Sequence, residues 1–239
     1  LIMPIVLALI FSVELLIRFV PPETEARWLG GWQPIETTEP EDPDEVAAAQ
    51  LLADLARRWP DASYTFRLSV MEEEAPNALA LPGGLIVVTD GLLDSVQSEN
   101  ALAFVLAHEL GHFRHRDHIR QLGRGAAIGL FLAGVRTSRG SGISVTLADL
   151  TLRGFGRKQE TAADAFALDL VRRHYGHVGE SLAFFETLAD EEGDIIPWTG
   201  YLATHPATAD RVSTLRELAS GNGWTSQGVV RPWPPKGER

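Results

Sequence analysis

The sequence has no cysteine, and this absence excludes both disulfide bonds and thiolate ligands to a metal. Positive charge is also scarce, because 32 acidic residues outnumber 21 lysines and arginines and leave a formal net charge of -11. No basic stripe offsets this balance along the chain. The charge therefore argues against nucleic acid as a partner.

Internal repeats are absent too, since no similarity recurs near the 34-residue period of common helical arrays. With 239 residues and 45% apolar content, the chain is long enough to bury one good core. We therefore predict one globular domain at residues 44–223. A candidate membrane anchor at 1–22 and a linker at 23–43 precede it, and an extended tail at 224–239 follows it.

The longest apolar run lies at the N-terminus. Residues 1–20 carry only Ser12, Glu14 and Arg18 as polar side chains, and this length suffices to cross a hydrocarbon layer of about 30 Å. Two prolines end the run. Three interpretations remain open: a membrane anchor, an uncleaved signal-like segment, or a buried helix of the domain. Length and apolarity favour the anchor.

A second apolar run, at residues 126–135, is too short to span a membrane. Arginines flank it on both sides. The surrounding segment, 119–142, could lie at a membrane surface, cover a cleft as a lid, or pack on the core as a helix. The sequence does not decide among these three.

An H-E-x-x-H motif occupies residues 108–112, within a predicted helix. Residues four apart project from the same helical face, so His108 and His112 can take two positions of a tetrahedral zinc site. Glu109 is then placed to act on a water molecule at an open position of the metal. The pattern of residue types therefore indicates metal-assisted hydrolysis.

The sequence around the motif supports a helix that packs closely. Ser98 can cap its N-terminus, and apolar residues at a spacing of three and four give it a core-facing side. Gly111 is a poor helix former. Its missing side chain is explained if a second element approaches closely at this point.

A third protein ligand is needed, and two residues qualify. His118 has the spacing of the metzincin sites, but that arrangement needs a glycine where this chain has His115. Glu160 lies one helical turn before Asp164 in an E-x-x-A-D segment rich in alanine. One carboxylate can then bind metal while Asp164 accepts a hydrogen bond from His108. We therefore favour Glu160.

A small sheet is predicted before the motif. Residues 64–70 alternate apolar and polar side chains, which indicates a half-buried strand. Residues 77–81 and 85–89 flank a Pro-Gly-Gly turn at 82–84 and indicate a hairpin. An edge strand here could bind an extended peptide by main-chain hydrogen bonds. From spacing alone, a purely structural hairpin fits equally well.

Taken in order, these motifs resemble a known family. The chain is similar to the gluzincin metallopeptidases that include the CAAX prenyl protease, the heat-shock protease HtpX and small periplasmic and mitochondrial relatives. Leu79 departs from the usual phenylalanine, and Lys158-Gln159 departs from the usual residues before the third ligand. The matching segments are N-A-L-A-L-P-G-G at 77–84, the motif at 108–112, E-x-x-A-D at 160–164, and an H-P-x-x-x-x-R motif formed by His205, Pro206 and Arg211.

The resemblance implies an α+β, mostly helical zincin-like metallopeptidase domain with a small antiparallel sheet. It also implies one Zn²⁺ per chain, held by His108, His112 and Glu160. Glu109 is expected to be the general base, and His205 a donor to the oxyanion of the tetrahedral intermediate. The expected reaction is hydrolysis of peptide bonds.

The substrate implied is an extended or misfolded polypeptide near a membrane, with the protein at the bacterial inner membrane or facing the periplasm. One alternative is a non-catalytic, chaperone-like module of the same fold, although an intact Glu109 argues against it. Another is a CAAX-type prenyl-protein protease, which we expect to need a large membrane chamber. The other site residues implied are Asp164 and Arg211 in support of the ligands, and Asn77, Ala78 and Leu79 at the substrate.

Overall fold

A computed structural model provides the structure. Its helices and strands are α1 (Pro22–Leu29), α2 (Pro43–Arg57), β1 (Arg67–Met71), β2 (Ala78–Leu81), β3 (Leu85–Thr89), α3 (Asp90–Ser95), α4 (Glu99–His115), α5 (Arg157–Tyr175) and α6 (Ala209–Gly221). The residues that the structure describes are 37–123, 155–183 and 209–233, with shorter pieces at 8, 11–12, 15–17, 19–29, 125, 185–186 and 205.

Local sequence features explain where helix α2 begins and which of its sides is buried. The Glu45 carboxylate accepts a hydrogen bond from the backbone N–H of Asp42 at 3.2 Å, which satisfies an amide that the helix leaves unpaired. Pro43 occupies the first turn, where its missing N–H costs nothing. One side of the helix then packs into the core through three buried leucines, Leu51, Leu52 and Leu55.

The three strands form one sheet in the order β1-β3-β2. Strands β2 and β3 are antiparallel and form the predicted hairpin, whose turn places Gly83 and Gly84 at φ of 85° and 88°. This left-handed region favours glycine. A Cβ on Gly84 would also stand 2.5 Å from the carbonyl oxygen of Thr65.

The predicted antiparallel sheet needs one correction, because β1 runs parallel to β3. Strand β3 therefore lies between the other two, and β2 is at an edge of the sheet in the described part of the chain. Alternation of side chains indicates a strand and its buried face, but it contains no information on the direction of the neighbouring strand. The α+β, mostly helical fold class is confirmed.

Helix α4 is the centre of the domain. Ser98 caps it as predicted, accepting a hydrogen bond from the backbone N–H of Ala101 at 3.1 Å. Every residue from Asn100 to Phe113 is buried, so the helix is enclosed on all sides and not only along its apolar stripe. It contacts α2, β2 and α5.

The described part of the predicted tail lies against the start of α4. The backbone N–H of Glu99 donates to the carbonyl oxygen of Arg231 at 2.9 Å, and the N–H of Arg231 donates to the side chain of Asn100 at 2.9 Å. Trp233 is buried against the core. The extended segment therefore pairs with a backbone amide that the helix itself leaves unsatisfied.

The N-terminal region contains more structure than a linker. Residues 22–29, predicted as the end of the anchor and the start of the linker, form α1, whose Glu25 is buried. Upstream, Ile17 is buried, whereas four large apolar side chains are exposed: Phe11, Leu15, Leu16 and Phe19. In the part of the chain that the structure describes, no helix is both long and apolar enough to cross a membrane. The segments 126–135 and 138–142 lie outside the described residues.

The close helix–helix contact predicted at Gly111 is confirmed. A Cβ on this residue would lie 2.8 Å from the Cα and 2.9 Å from the carbonyl oxygen of Ala163 in α5. Both atoms belong to a helix backbone, which cannot move without shifting the whole helix. Glycine at 111 therefore sets how closely α4 and α5 approach.

We expect Gly111→Ala to destabilise the protein by about 1–3 kcal/mol, because the added methyl overpacks a buried helix contact. For a chain of this size, thermal unfolding should move down by about 2–4 °C per kcal/mol. Gly221→Ala is the matched control, since a Cβ there meets nothing within 4 Å. Equal melting temperatures for the two variants in calorimetry would contradict this account of the contact.

Candidate metal centre

Four buried side chains meet where α4 crosses α5. Each offers one ligand atom, and these atoms all lie within 4.8 Å of one another. Helix α4 contributes two of them and α5 contributes one, while the fourth comes from the chain before α6. The four residues are His108, His112, Glu160 and His205.

Distances within the group fit a zinc site. The Nε2 atoms of His108 and His112 are 3.1 Å apart, and the carboxylate oxygens of Glu160 lie 3.5 and 3.6 Å from them. Ligand atoms about 2.0–2.2 Å from zinc at tetrahedral angles stand about 3.3–3.6 Å apart. Two imidazoles and one carboxylate are also donors that zinc accepts. The residues present therefore fit this metal.

A carboxylate and a guanidinium hold the outer side of the group. Nδ1 of His108 lies 2.9 Å from Asp164, which leaves Nε2 facing the other ligand atoms. Arg211 donates to both oxygens of Asp164, at 2.9 and 2.7 Å, and lies 3.0 Å from Glu160. Asp164 was predicted as the partner of His108, and Arg211 as a further residue in support of the ligands.

Burial and these neighbours shift the ionisation of the group. Burial opposes the charged form of Glu160, but hydrogen bonds with His108 and His205 outweigh it and lower the pKa. Burial also opposes a charged His108, yet the carboxylates of Asp164 and Glu160 raise its pKa to about 10. Burial lowers the pKa of His112 to about 3. Glu160 and Asp164, whose pKa is also lowered, are therefore charged in their buried positions.

Glu109 occupies a different environment from the other acids. Burial raises its pKa, and the nearby imidazoles of His205 and His108 offset this only in part. One carboxylate oxygen lies 3.5 Å from Nε2 of His205. The backbone amide of Ala80, on edge strand β2, also favours its ionised form. Glu109 thus lies between the ligand group and the edge of the sheet.

His205 lies closer to the ligand group than the sequence indicated. Its Nδ1 is 3.2 Å from Nε2 of His108 and 3.2 Å from Glu160, while Nε2 is turned to Glu109. It was predicted as a donor to the reacting carbonyl, and this position also puts it within reach of a metal. Spacing along the chain could not have revealed this, because His205 lies 45 residues beyond Glu160.

The alternative ligand, His118, faces elsewhere. Its Nε2 lies 2.6 Å from Glu25, and its Nδ1 is 3.4 Å from the backbone oxygen of His112. Glu25 also accepts hydrogen bonds from Tyr64 at 2.9 Å and Arg116 at 3.1 Å. His118 therefore belongs to a buried ion-pair group that joins α1 to the end of α4.

Two contacts of His112 were not predicted. Its Nδ1 lies 3.2 Å from Asp117, and Phe155 stacks on its ring at 3.8 Å between centroids. The sequence shows that Asp117 follows His112 by five residues. This spacing indicates a contact only when it is known that α4 ends at His115. Phe155 has no neighbouring motif that singles it out.

The residues predicted to bind substrate lie at the edge strand. Asn77 precedes β2, where its backbone amide donates to the Thr89 hydroxyl at 2.8 Å. Ala78 begins β2 and packs in the main core, whereas Leu79 packs on the opposite face of the sheet. A cavity of about 570 Å³ opens on the other side of the ligand group, between α5 and α6, and Glu160 and Arg211 line it.

Comparison with known proteins agrees with this geometry. The sequence pattern of peptidase family M48 matches residues 46–219, well over half of the chain, and the chain belongs to this family. The resemblance seen in the motifs is thereby confirmed, and zinc is the metal of such metallopeptidases.

Relatives of known name are similar along most of the chain. The mitochondrial metalloendopeptidase OMA1 of Schizosaccharomyces pombe is 30% identical over 175 residues, covering 71% of this chain and 52% of that protein. A putative beta-barrel assembly-enhancing protease of Vibrio cholerae is 30% identical over 173 residues, covering 66% and 36%. A protease HtpX homolog of Campylobacter hominis is 29% identical over 220 residues, covering 73% and 77%. The chain thus spans about half or less of the first two relatives.

Substitution of the two candidate third ligands, Glu160 and His118, should have different effects on zinc content. Glu160→Ala should lower zinc content strongly, because it removes one of three ligands whose donor atoms lie 3.1, 3.5 and 3.6 Å apart. His118→Gln should leave zinc content unchanged, since an amide can still donate to Glu25. Elemental analysis after dialysis against a weak chelator measures both. Loss of zinc in the second variant alone would favour the metzincin arrangement.

Proposed function

We propose that the protein is a zinc-dependent endopeptidase that hydrolyses peptide bonds of extended or misfolded polypeptides at a membrane. The observation that carries the proposal is the position of Glu109, buried between a group of zinc-type ligands and the edge of a sheet. A binding module would not need a buried carboxylate at that place, where it is costly without a task.

In the proposed mechanism His108, His112 and Glu160 hold the metal. Bound zinc supplies Lewis-acid chemistry, which activates water and polarises a peptide carbonyl. Glu109 accepts the proton of the attacking water and later donates it to the leaving amine. Burial raises its pKa, and a carboxyl group with a higher pKa takes a proton from water more readily than an ordinary glutamate.

His205 is proposed to stabilise the negative charge that develops on the carbonyl oxygen of the substrate. An imidazole N–H in a buried site stabilises such a charge strongly, because little water screens it. Its Nδ1 stands 3.2 Å from Glu160, so a fourth ligand is the second role that the geometry supports. Arg211 acts through Asp164 and Glu160, keeping both carboxylates in place.

Substrate is proposed to add as a further strand along β2, beside Asn77, Ala78 and Leu79. Main-chain hydrogen bonds along an edge strand give affinity with little demand on sequence, which suits unfolded polypeptides. The backbone amide of Ala80 is near enough to lower the pKa of Glu109, and this supports the placement, since strand β2 then lies beside the general base.

We propose that residues 1–20 associate with a membrane. The proposed location is the bacterial inner membrane, with the catalytic domain facing the periplasm. Large apolar side chains exposed to water are unfavourable unless something covers them. Phe11, Leu15 and Phe19 recur every four residues, which is the spacing of one side of a helix, and Leu16 is exposed beside them. Lipid is the occupant that fits this composition.

Glu109→Gln tests the proposed reaction. We expect the variant to keep its fold and zinc but to lose about 10²–10⁴-fold in activity on an unfolded, fluorescently labelled protein, because an amide cannot accept the proton. Glu72→Gln, an exposed glutamate outside the site, serves as the control. A zinc-loaded wild type that suppresses aggregation but cleaves nothing would favour the chaperone-like alternative.

His205→Ala separates the two roles of that residue. As a donor to the transition state, its loss should lower kcat by about 10²–10³-fold with little change in KM and none in zinc content. As a fourth ligand, its loss should lower zinc affinity instead. Kinetics on a quenched peptide and chelator competition, measured on the same preparation, distinguish the outcomes.

Exchanging the four exposed apolar residues for serine, at positions 11, 15, 16 and 19, should release the protein from membranes in a carbonate wash. The wild type should remain bound, because apolar side chains and not charges hold it there. Val229→Ser with Val230→Ser is the control, since this pair is also exposed but lies in the C-terminal segment. Unchanged membrane retention of the fourfold variant would show that this surface does not contact lipid.

A further inference from the structure

Both histidines of the motif have a carboxylate at Nδ1. His108 has Asp164, at 2.9 Å, and His112 has Asp117, at 3.2 Å. Asp117 is 1% exposed, in spite of its charge. The two pairs leave both Nε2 atoms facing the ligand group, 3.1 Å from each other.

Asp117 reaches His112 because α4 ends abruptly. His115 is its last residue, and Arg116 adopts a left-handed conformation with φ of 58°. Residues other than glycine rarely adopt this backbone conformation, so other contacts must stabilise it. Arg116 donates to the carbonyl oxygen of Ile17 at 2.9 Å and to Glu25 at 3.1 Å. The turn directs the next residue, Asp117, back to the helix.

A second hydrogen bond orients the same carboxylate from the opposite side. Gln159 donates from Nε2 to Asp117 at 2.6 Å and accepts at Oε1 from the backbone N–H of Gly156 at 3.0 Å. Gln159 immediately precedes Glu160. Asp117 therefore joins the end of α4 to the start of α5, directly beside two of the proposed zinc ligands.

An ordinary surface ion pair does not explain this arrangement. Arg120 forms an ion pair with Asp117, but the distance is 3.5 Å and the Arg120 side chain is 32% exposed. The shorter bonds go to Gln159 and His112, both on the side of the ligand group. A buried carboxylate with these partners is placed for orientation of the histidine.

We propose that Asp117 is the positioning residue of His112. It holds the proton on Nδ1, so that Nε2 presents its lone pair to the metal, and through Gln159 it sets the distance from His112 to Glu160. The inference rests on the proposed zinc peptidase, and it adds a residue to which the motif comparison assigns no role.

The test is zinc affinity, measured by chelator competition on the full chain. Asp117→Ala should weaken zinc binding about 10–100-fold, as loss of such an orienting partner does in other zinc sites. Asp117→Asn should weaken it less, because its amide oxygen still accepts the hydrogen bond from Nδ1. Arg120→Ala should leave zinc affinity unchanged, although it removes the arginine that pairs with Asp117.

Measurements on metal-free protein separate positioning from general stability. If Asp117 had only a structural role, both metal-free variants, Asp117→Ala and Asp117→Asn, would melt at a lower temperature. Their zinc affinities would then not differ from each other in the predicted order. Wild-type affinity in Asp117→Ala, or an equal loss in Arg120→Ala, overturns the inference. A wild type that binds zinc but cleaves nothing overturns the proposed activity, while the order of zinc affinities still decides the role of Asp117.

Discussion

The close approach of α4 and α5 is the constraint on which the rest of the structure depends. Glycine at 111 opposite Ala163 leaves no room for a Cβ between the helices. Only at this distance can the carboxylate of Glu160, on one helix, lie within 3.6 Å of an imidazole on the other. The geometry of the site therefore depends first on how closely the two helix backbones pack, and only then on which ligands they carry.

Burying so many ionisable groups is costly unless each has a partner. The structure meets this requirement with paired contacts: Arg211 on Asp164 and Glu160, and Gln159 on Asp117. Among the described residues no arginine or lysine pairs with Glu109, and burial raises its pKa, whereas hydrogen bonds with His108 and His205 lower the pKa of Glu160. Two glutamates in one site therefore have opposite tendencies, which is the usual sign of different tasks.

Arg116 and His118 connect the N-terminal residues to this centre. Arg116 holds backbone oxygens upstream of α1 and the buried Glu25, and its left-handed conformation positions Asp117. Glu25 in turn binds His118 and Tyr64. A segment that the sequence marked as a linker thus takes part in the packing at the end of the metal helix.

The sequence by itself determined whatever depends on near neighbours: the Ser98 cap, the Pro-Gly-Gly hairpin, and the placement of His108 and His112 on one face of a helix, because helical periodicity and turn chemistry are local. It also indicated Glu160 and Asp164, since their spacing matches one helical turn. Only the tertiary structure decided that β1 is parallel to β3, that His205 approaches Glu160, and that Asp117 supports His112. The first depends on the direction of a neighbouring strand, the second on the return of the chain 45 residues later, and the third on a left-handed residue at the end of α4. No local pattern of side chains encodes any of the three.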